Sequence, residues 1–391
     1  MIRLRLKKGR EASVDRRHPW LFSGAVASAD GDGSDGLAEV VDSSGRVRAH
    51  GSYSAGSQIV ARLWTFDGRL PGRELLLERF EAARRLRETV VAPRTTGFRA
   101  VNSEGDLCPG ILLDIYGDVA VLDLLTEGIE KWEDDIAGAV RSVFRPPELL
   151  IRRTGAERDR GPAQSKIQNP KSKIALVPFL EHGLHFFADV GAGQKTGFFL
   201  DQRDNRMRLG AIASGRTVLN LFSYSGAFSV AALAAGATRA VDVDSSEAAL
   251  ELCREHRRAN GLPVSAGDFA RADVFDDVRS RAAAGEQWDI VVCDPPAFAK
   301  RRGDVAAAAR GYKDVNRLAM TLVRPGGFLL TCSCSGHVDP DLFQKIVFSA
   351  ALDAGASFSI LARQGAGGDH PVSLECPEGE YLKGLWLSRG M

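Results

Sequence analysis

Apolar and polar positions alternate at the start of the chain. Residues 2–6 read IRLRL, a period of two that is typical of a strand with one buried face. Three more stretches have the composition of short strands, at 37–42, 46–50 and 58–66. We therefore predict that residues 1–72 form a small all-β barrel or sandwich.

The period becomes helical after this region. One face of a predicted helix at 73–90 carries its apolar side chains, Leu76, Phe80, Ala83 and Leu86. Two strands joined by a hairpin signal lie within 111–125, and a second helix is predicted at 130–144. The pattern therefore predicts a central α+β domain over residues 73–185.

Strands and helices alternate over residues 186–391. The predicted order is strand 217–221, helix 227–235, strand 239–243, helix 246–260, strand 288–293, helix 305–323 and strand 328–332. This alternation is typical of an α/β domain with a doubly wound, Rossmann-like parallel sheet. Ligands of such sheets bind at the carboxyl ends of the strands, so we look for the chemistry there.

Composition limits the class of protein. The 391 residues are 44% hydrophobic and 26% charged, which suits a globular protein of two or three domains. No run of about 18 apolar residues and no apolar leader is found, so we expect a cytoplasmic protein without a membrane partner. The six cysteines form no paired framework, and Cys332 and Cys334 are spaced too closely for a zinc site. We therefore expect reduced thiols and no metal.

The basic residues are clustered, although the formal net charge is only +1. The clusters lie within residues 1–20, 152–173 and 300–313. A local basic patch on a neutral protein is typical of a phosphate-binding surface, but a solvated loop has the same composition. The third cluster directly follows the candidate site described below, which favours a nucleic-acid contact for Lys300 and Arg301.

Polar residues follow three consecutive elements of the predicted sheet. The turn NLFSYSG at 220–226 has a single glycine, so it lacks the pattern of a dinucleotide site. Asp244 ends the next strand, where a carboxylate can bind both ribose hydroxyls, and we expect Asp242 to point to the opposite face. Asp273 follows a third element, where it can accept from an adenine amino group or cap a helix.

The most informative feature is an Asp-Pro-Pro turn with a cysteine one strand downstream. The turn is Asp294-Pro295-Pro296, and a turn of this kind is typical of a site that holds a nucleobase beside S-adenosylmethionine. Carbon 5 of a pyrimidine is a weak nucleophile until a thiolate adds to carbon 6. The pair therefore predicts methylation at carbon 5, with Cys334 as the nucleophile and Asp294 binding the base. We expect Cys332 to pack inside the sheet.

A polar and aromatic segment at 194–206 precedes the first strand of this domain. We expect it to close over the cofactor, with Gln202 bonding the amino-acid end of S-adenosylmethionine. A helix start with salt-bridged charges explains the same composition.

With these segments in place, the chain resembles the ribosomal RNA large-subunit methyltransferase I family over nearly its whole length. The matching motifs are RRHPWLFSGA at 16–25, KTGFFLDQR at 195–203, NLFSYSG at 220–226, GYKD at 311–314 and PEGEYLKG at 377–384. The resemblance implies an N-terminal RNA-binding PUA barrel, S-adenosylmethionine as cofactor, formation of 5-methylcytosine in 23S rRNA and a homodimer. It also implies that Cys334 is the nucleophile.

The candidate site residues fall into three sets. The catalytic set is Cys334 and Asp294. The predicted cofactor-binding residues are Gln202, Asn220, Phe222, Ser223, Gly226, Asp244, Asp273 and Asp294. The predicted RNA-binding residues are Arg17, Pro295, Pro296, Phe298, Lys300 and Arg301.

Some features of the sequence have no assigned role. Ala297 follows the Asp-Pro-Pro turn where general cytosine-C5 RNA methyltransferases carry a second cysteine, so the base that removes the carbon-5 proton is unassigned. The segment 165–174 resembles an inserted loop, and His370 has no predicted function.

Two other functions fit the same residues. An enzyme that methylates a nitrogen of an RNA base uses a similar Asp-Pro-Pro turn and needs no thiol. A ribosome-assembly factor without catalytic activity would keep the fold for RNA binding, although the series of acidic residues and the cysteine argue against it.

Overall fold

The computed structural model describes residues 1–154, 176–191, 193–299 and 301–391. The segment 165–174 and Lys300 therefore lie outside the described residues. The chain divides into two compact units, of which the first is Met1–His182, Ala188–Phe198 and Gly368–Gly379 and the second is Gly183–Phe187, Phe199–Gly367 and Glu380–Met391. The three domains predicted from the sequence remain a prediction.

The first unit begins with a six-stranded sheet in the order β2-β6-β5-β4-β1-β3. Its elements are β1 (Ile2–Leu6), α1 (Ala12–Asp15), β2 (Trp20–Phe22), β3 (Val26–Asp30), β4 (Leu37–Val41), β5 (Val47–Tyr53) and β6 (Ile59–Thr65). Ile2, Leu4 and Leu6 are buried, as their alternation predicts. Two strands were not predicted: β2 has only three residues, and the side chains of β3 are mostly exposed.

A second sheet of this unit has the order β10-β9-β8-β7. The elements are α2 (Arg73–Val90), β7 (Gly97–Asn102), β8 (Ile111–Tyr116), β9 (Val119–Leu124), α3 (Glu127–Glu130), α4 (Glu133–Val143) and β10 (Glu148–Arg153). β11 (Leu176–Glu181) also belongs to this unit, whereas β12 (Leu184–Asp189) begins in the second unit and ends in the first. Leu76, Phe80 and Ala83 of α2 pack in the core of this region.

The inward face of α2 ends differently from the prediction, because Leu86 is exposed and Arg87 is buried. The Arg87 guanidinium donates to both carboxylate oxygens of Asp106, at 2.6 and 2.7 Å, and to the carbonyl of Asp369 at 2.8 Å. A bidentate pair of this kind satisfies a charge that would otherwise be costly to bury. His370, which the sequence left without a role, is also buried and hydrogen-bonds through Nδ1 to the Asp369 carboxylate at 2.9 Å.

The second unit contains a seven-stranded sheet in the order β15-β14-β13-β16-β17-β19-β18. Its strands are β13 (Thr217–Leu221), β14 (Arg239–Asp244), β15 (Phe269–Arg271), β16 (Trp288–Cys293), β17 (Val323–Ser333), β18 (Phe358–Gln364) and β19 (Lys383–Arg389). Its helices are α5 (Arg203–Ala213), α6 (Ala227–Ala234), α7 (Glu247–Ala259), α8 (Val274–Ala283), α9 (Val305–Leu322) and α10 (Pro340–Asp353).

Five of these strands are parallel, which confirms the predicted α/β fold class, and β19 and β18 add an antiparallel edge. The central strands are apolar on both faces because helices cover both sides. Leu219 and Val291 pack into one core cluster, while Val218, Ile290 and Cys332 pack into another. Across the described ranges of the chain, no helix is long and apolar enough to cross a membrane.

A buried ion pair joins β14 to α7 in this unit. The Asp242 carboxylate accepts from Arg257 Nη2 at 2.7 Å, from Asn220 Nδ2 at 2.8 Å and from Ser229 Oγ at 2.6 Å. Burial raises the pKa of Asp242 above its ordinary value, and the Arg257 guanidinium acts in the opposite direction. The group therefore stays charged only while its partners remain in place.

We expect Arg257→Met to lower the free energy of unfolding by about 3–5 kcal/mol, because the variant leaves a buried carboxylate without its counter-charge. The matched control is Arg258→Met, since Arg258 is half-exposed and pairs with Glu251 and Glu255 at the surface. Urea unfolding of both variants measures the difference. The double variant Asp242→Asn/Arg257→Met should regain part of the loss, and equal effects of Arg257→Met and Arg258→Met would contradict this account.

Candidate active site

The loop between β13 and α6 has an unusual backbone. Phe222, Tyr224 and Gly226 have φ angles of 57°, 44° and 71°, in the left-handed region that side chains other than glycine seldom adopt. Such a conformation persists where the surroundings hold it in place, and it often marks a ligand site. Every second residue of this loop therefore has a left-handed backbone conformation.

Asp244 at the end of β14 holds this loop. Its Oδ2 accepts the Tyr224 N–H at 2.9 Å, and its Oδ1 accepts the Ser246 N–H at 2.9 Å. A carboxylate has about four acceptor positions, so two remain for ribose hydroxyls. Asp242 and Asp244 are two residues apart and share a face, so the predicted opposite orientation of Asp242 was wrong. They differ in depth, since Asp242 is fully buried and Asp244 is half-buried at the strand end.

Gly226 is the last residue of the loop, directly before α6, and has no room for a side chain. A Cβ at this position would lie 2.8 Å from Cys253 Sγ, which itself donates to the Tyr224 carbonyl at 3.0 Å. Burial raises the pKa of the Cys253 thiol well above its ordinary value, so this thiol is a packing group. Gly226 is therefore required both for its positive φ and for the close approach of α7.

His256 of α7 supports the same loop. Its Nε2 accepts the Phe187 N–H at 2.9 Å, which leaves the proton on Nδ1 to donate to the Ser225 carbonyl at 2.8 Å. Burial lowers the pKa of His256 to about 4, so the ring is neutral near pH 7. The sequence contains no pattern that links His256 to the loop, because the contact joins residues far apart in the chain.

The remaining predicted cofactor residues have different surroundings. Asn220 is buried, and its amide donates to Asp242 and Ser229, so this side chain belongs to the ion-pair cluster behind the loop. Asp273 caps α8 through Oδ1, which accepts the N–H groups of Phe275 and Asp276 at 2.9 and 3.2 Å. The capping alternative considered for Asp273 is therefore present, and its second oxygen remains available for an adenine amino group.

Asp294 follows β16 and is oriented by a chain of side-chain amides. Gln202 Nε2 donates to Asp294 Oδ2 at 2.9 Å, Asn205 Nδ2 donates to Gln202 Oε1 at 2.7 Å, and Trp386 Nε1 donates to Asn205 Oδ1 at 2.9 Å. The direction of each amide is thus fixed by its neighbour. The cofactor contact of Gln202 stays a prediction, and in the structure its side chain orients Asp294.

The two cysteines at the end of β17 have different environments. Cys332 is fully buried, and burial raises the pKa of its thiol well above the ordinary value. Cys334 lies one residue beyond the strand and is half-buried, with its sulfur 3.9 Å from the carbonyl oxygen of Pro295. The thiol of Cys334 and the Asp-Pro-Pro turn therefore lie side by side, as the sequence predicts.

Ser335 links the segment after the Asp-Pro-Pro turn to the end of β17 by hydrogen bonds. Its Oγ accepts the Ala299 N–H at 3.1 Å and bonds to the Tyr312 hydroxyl at 2.9 Å. The Phe298 ring packs on Tyr312 with a centroid distance of 4.6 Å and faces Phe275 at 6.3 Å. Phe298 thus belongs to a partly buried aromatic cluster with Tyr312 and Phe275.

The other residues that were predicted to contact RNA differ in exposure and in their place in the chain. Pro295 is buried, whereas Pro296 and Arg301 are exposed. Arg17 belongs to the first unit, is exposed with a φ of 58°, and lines a cavity there. Lys300 lies outside the described residues.

The first unit also brings together His18, Cys376 and Glu378, whose ligand atoms lie within 4.8 Å of one another. His18 Nδ1 accepts the Trp20 N–H at 3.1 Å, so its Nε2 carries the proton and donates to Glu378 at 3.3 Å. Burial raises the pKa of the Cys376 thiol to about 12. A metal would need the ring nitrogen and the sulfur deprotonated, so the hydrogen bonds account for this cluster better than a metal site does.

This arrangement is matched by known proteins. Residues 4–66 match the PUA-like domain, and residues 170–360 match the S-adenosylmethionine-dependent methyltransferase family. The fold is similar to a SAM-dependent methyltransferase from Streptococcus mutans, with a TM-score of 0.85, 23% identity and coverage of 99% of this chain and 100% of that one. It is similar at a TM-score of 0.86 and 23% identity to SMU.776, crystallised in complex with SAH, over 99% of this chain and 100% of that one.

The fold and these matches define an S-adenosylmethionine-dependent methyltransferase with a PUA-like domain. The chain is 40% identical over 389 residues to ribosomal RNA large subunit methyltransferase I of Yersinia pseudotuberculosis and of Yersinia pestis, and the alignment covers 98% of each chain. It therefore belongs to the ribosomal RNA large subunit methyltransferase I family. S-adenosylmethionine is its cofactor, and the close-approach loop at Gly226 and the acceptor positions on Asp244 suit that ligand.

We expect Gly226→Ala to weaken S-adenosylmethionine binding at least about tenfold more than its control, because its Cβ displaces Cys253 in addition to the roughly 1–2 kcal/mol that any left-handed alanine costs. The matched control is Gly215→Ala, where φ is 72° and an added Cβ meets nothing within 4 Å. Both variants carry the same backbone strain. Titration calorimetry with S-adenosylmethionine compares them, and equal affinities would show that the loop does not need the close approach.

Proposed function

We propose that this protein methylates carbon 5 of a cytosine in 23S rRNA through a covalent Cys334 adduct. Membership of the family supports the substrate class. The observation that carries the chemistry is the position of the Cys334 sulfur, half-buried and 3.9 Å from the Pro295 carbonyl beside Asp294. Methylation of a ring nitrogen needs no thiol at this place.

The proposed reaction begins when the Cys334 thiolate adds to carbon 6 of the cytosine. The electron pair of the 5,6 double bond moves to carbon 5, which becomes the nucleophile that accepts a methyl group. S-adenosylmethionine supplies that methyl group when bound. Loss of the carbon-5 proton then allows the sulfur to leave from carbon 6, and the double bond reforms.

Asp294 is proposed to bind the cytosine during addition. Its carboxyl group can accept from the exocyclic amino group and share a proton with nitrogen 3, where negative charge develops. Because Gln202 already fixes Oδ2, Asp294 presents its carboxyl group in a defined direction. A preorganised partner of this kind stabilises the developing charge without having to reorient.

The remaining residues are proposed to bind the two substrates. Ser223, Phe222 and Gly226 shape the cofactor loop, and Asp244 and Asp273 accept from ribose and adenine. We propose that the target base is held by the rigid turn at Pro295 and Pro296 and by the Phe298 ring. The base must first leave its stack in the RNA, which costs roughly a few kcal/mol. Arg17, Lys300 and Arg301 are proposed to contact RNA phosphates, which position the RNA and carry no sequence information. An rRNA substrate supports the cytoplasmic location predicted from the sequence.

We expect Cys334→Ala to reduce methyl transfer by roughly 10³-fold or more, the scale on which loss of a nucleophile acts. Cys332→Ala is the matched control, because it removes a thiol two residues away that is buried in the sheet. The assay follows labelled methyl transfer to 23S rRNA from cells lacking this gene, with mass mapping of the product. S-adenosylmethionine binding by calorimetry verifies that each variant is folded.

Full methyl transfer by folded Cys334→Ala would contradict the covalent mechanism and favour methylation of a base nitrogen. Absence of transfer by the wild-type protein to any rRNA intermediate would favour a non-catalytic assembly factor.

The homodimer implied by the family resemblance is also a proposal. We expect sedimentation velocity to report a particle of twice the monomer mass at micromolar concentration. A single species at the monomer mass would contradict it.

A further inference from the structure

A buried lysine lies beside the proposed nucleophile. Lys383 is the first residue of β19 and pairs with Ser333 of the antiparallel β17, one residue before Cys334. It is 7% exposed, and lysine is seldom buried to this extent without a partner. Neither the proposed mechanism nor the sequence motifs assign it a role.

The hydrogen bonds of Lys383 direct its amine toward the end of β17. Nζ donates to the Ser335 carbonyl at 2.6 Å and to the Tyr381 carbonyl at 2.7 Å. A neutral amine has two N–H donors and one lone pair. The two carbonyls accept both N–H groups, so the lone pair remains able to accept a proton. An ammonium has a third N–H at that position. The bond to Ser335 places the amine beside the residue that directly follows Cys334.

The charges around the amine favour proton exchange with the thiol. Burial lowers the pKa of Lys383 below its ordinary value, and the negative charge of a Cys334 thiolate, of Glu380 and of Asp339 opposes that change. A lysine with a lowered pKa can act as a base near neutral pH.

Other described groups also interact electrostatically with the end of β17. Tyr312 of α9 interacts electrostatically with Cys334, and burial raises the pKa of Tyr312. Asp294 and Cys293 interact electrostatically with Cys332, two residues before Cys334, and neither group can carry a positive charge. Among these described groups, Lys383 can carry a positive charge, and it interacts electrostatically with Cys334.

We propose that Lys383 accepts the proton of the Cys334 thiol and then stabilises the thiolate as an ammonium. The inference rests on the proposed function, because a thiolate is the nucleophile there. The S–H bond breaks with its electron pair left on sulfur, and the proton forms the third N–H bond of the ammonium. When the sulfur leaves carbon 6, the pair returns to its starting charge state and can serve again.

The test measures the reactivity of the thiol without methyl transfer. Iodoacetamide reacts with the thiolate, so its rate on the Cys334 peptide, followed by mass spectrometry between pH 5 and pH 9, reports the thiol pKa. We expect the wild-type midpoint to lie at least one unit below the value of about 8.5 of an ordinary thiol. Lys383→Met keeps the length and removes the amine, and we expect its midpoint to rise by about one unit or more, with alkylation at pH 7 about tenfold slower.

Two further variants separate the amine from general effects of charge. Lys345→Met is the control, because Lys345 of α10 is exposed and pairs with Asp341 at the surface, and its profile should match the wild type. Lys383→Arg retains a positive charge, so its midpoint should lie closer to the wild type than that of Lys383→Met. S-adenosylmethionine binding verifies the fold of each variant.

A Lys383→Met profile that superimposes on the wild type would overturn the proposal. If Lys383→Met does not fold, the difference between the 240 nm absorbance titrations of wild type and Cys334→Ala still gives the thiolate pKa. A midpoint at or above about 8.5 in that titration would also overturn it. Loss of methyl transfer in Cys334→Ala with an unchanged Lys383→Met profile would remove only the role of Lys383, whereas full transfer by Cys334→Ala would remove the proposed function itself.

Discussion

The register between β16 and β17 determines which side chains meet at the candidate site. Cys293, the last residue of β16, pairs with Thr331, so the Asp-Pro-Pro turn begins beside the final residues of β17. A shift by one residue would exchange the two faces of β17, because side chains alternate along a strand. Cys332 would then leave the apolar cluster, and the segment that carries Cys334 would no longer lie against Pro295. The buried apolar residues on both faces of these strands hold the register in place.

Much of this arrangement is visible in the sequence because it depends on local patterns. The run of apolar residues before Asp294, and the cysteine just past the next strand, are enough to predict that the two residues share one edge of the sheet. The depth of each cysteine also follows, since Cys332 lies within the apolar stretch and Cys334 beyond it. The parallel part of the sheet was predicted for the same reason.

Contacts between distant segments were not visible. The antiparallel strands β18 and β19 are far from β17 in the chain, and their pairing supplies Lys383 to the site. The chain of amides from Trp386 to Asp294 likewise joins residues about 180 and 90 positions apart. The contact between Asn220 and Asp242, its register partner on the neighbouring strand, was not predicted either, and the assignment of Asn220 to the cofactor stays a prediction. Local periodicity predicts which face a residue occupies, but it does not predict which distant side chain lies opposite.

The contacts of Asp244 affect how substitutions at this residue change the affinity for the cofactor. Its Oδ2 accepts the N–H of Tyr224 in the cofactor loop and its Oδ1 accepts the N–H of Ser246 in the turn before α7, so the residue maintains the loop as well as offering acceptors to a ribose. A substitution at 244 would reduce the fraction of molecules whose loop is already in the binding-competent shape. The apparent dissociation constant rises in inverse proportion to that fraction, even if no contact with the ligand is lost. Affinity alone would therefore overstate the ribose contact, and the loop conformation of the variant without ligand would have to be measured separately.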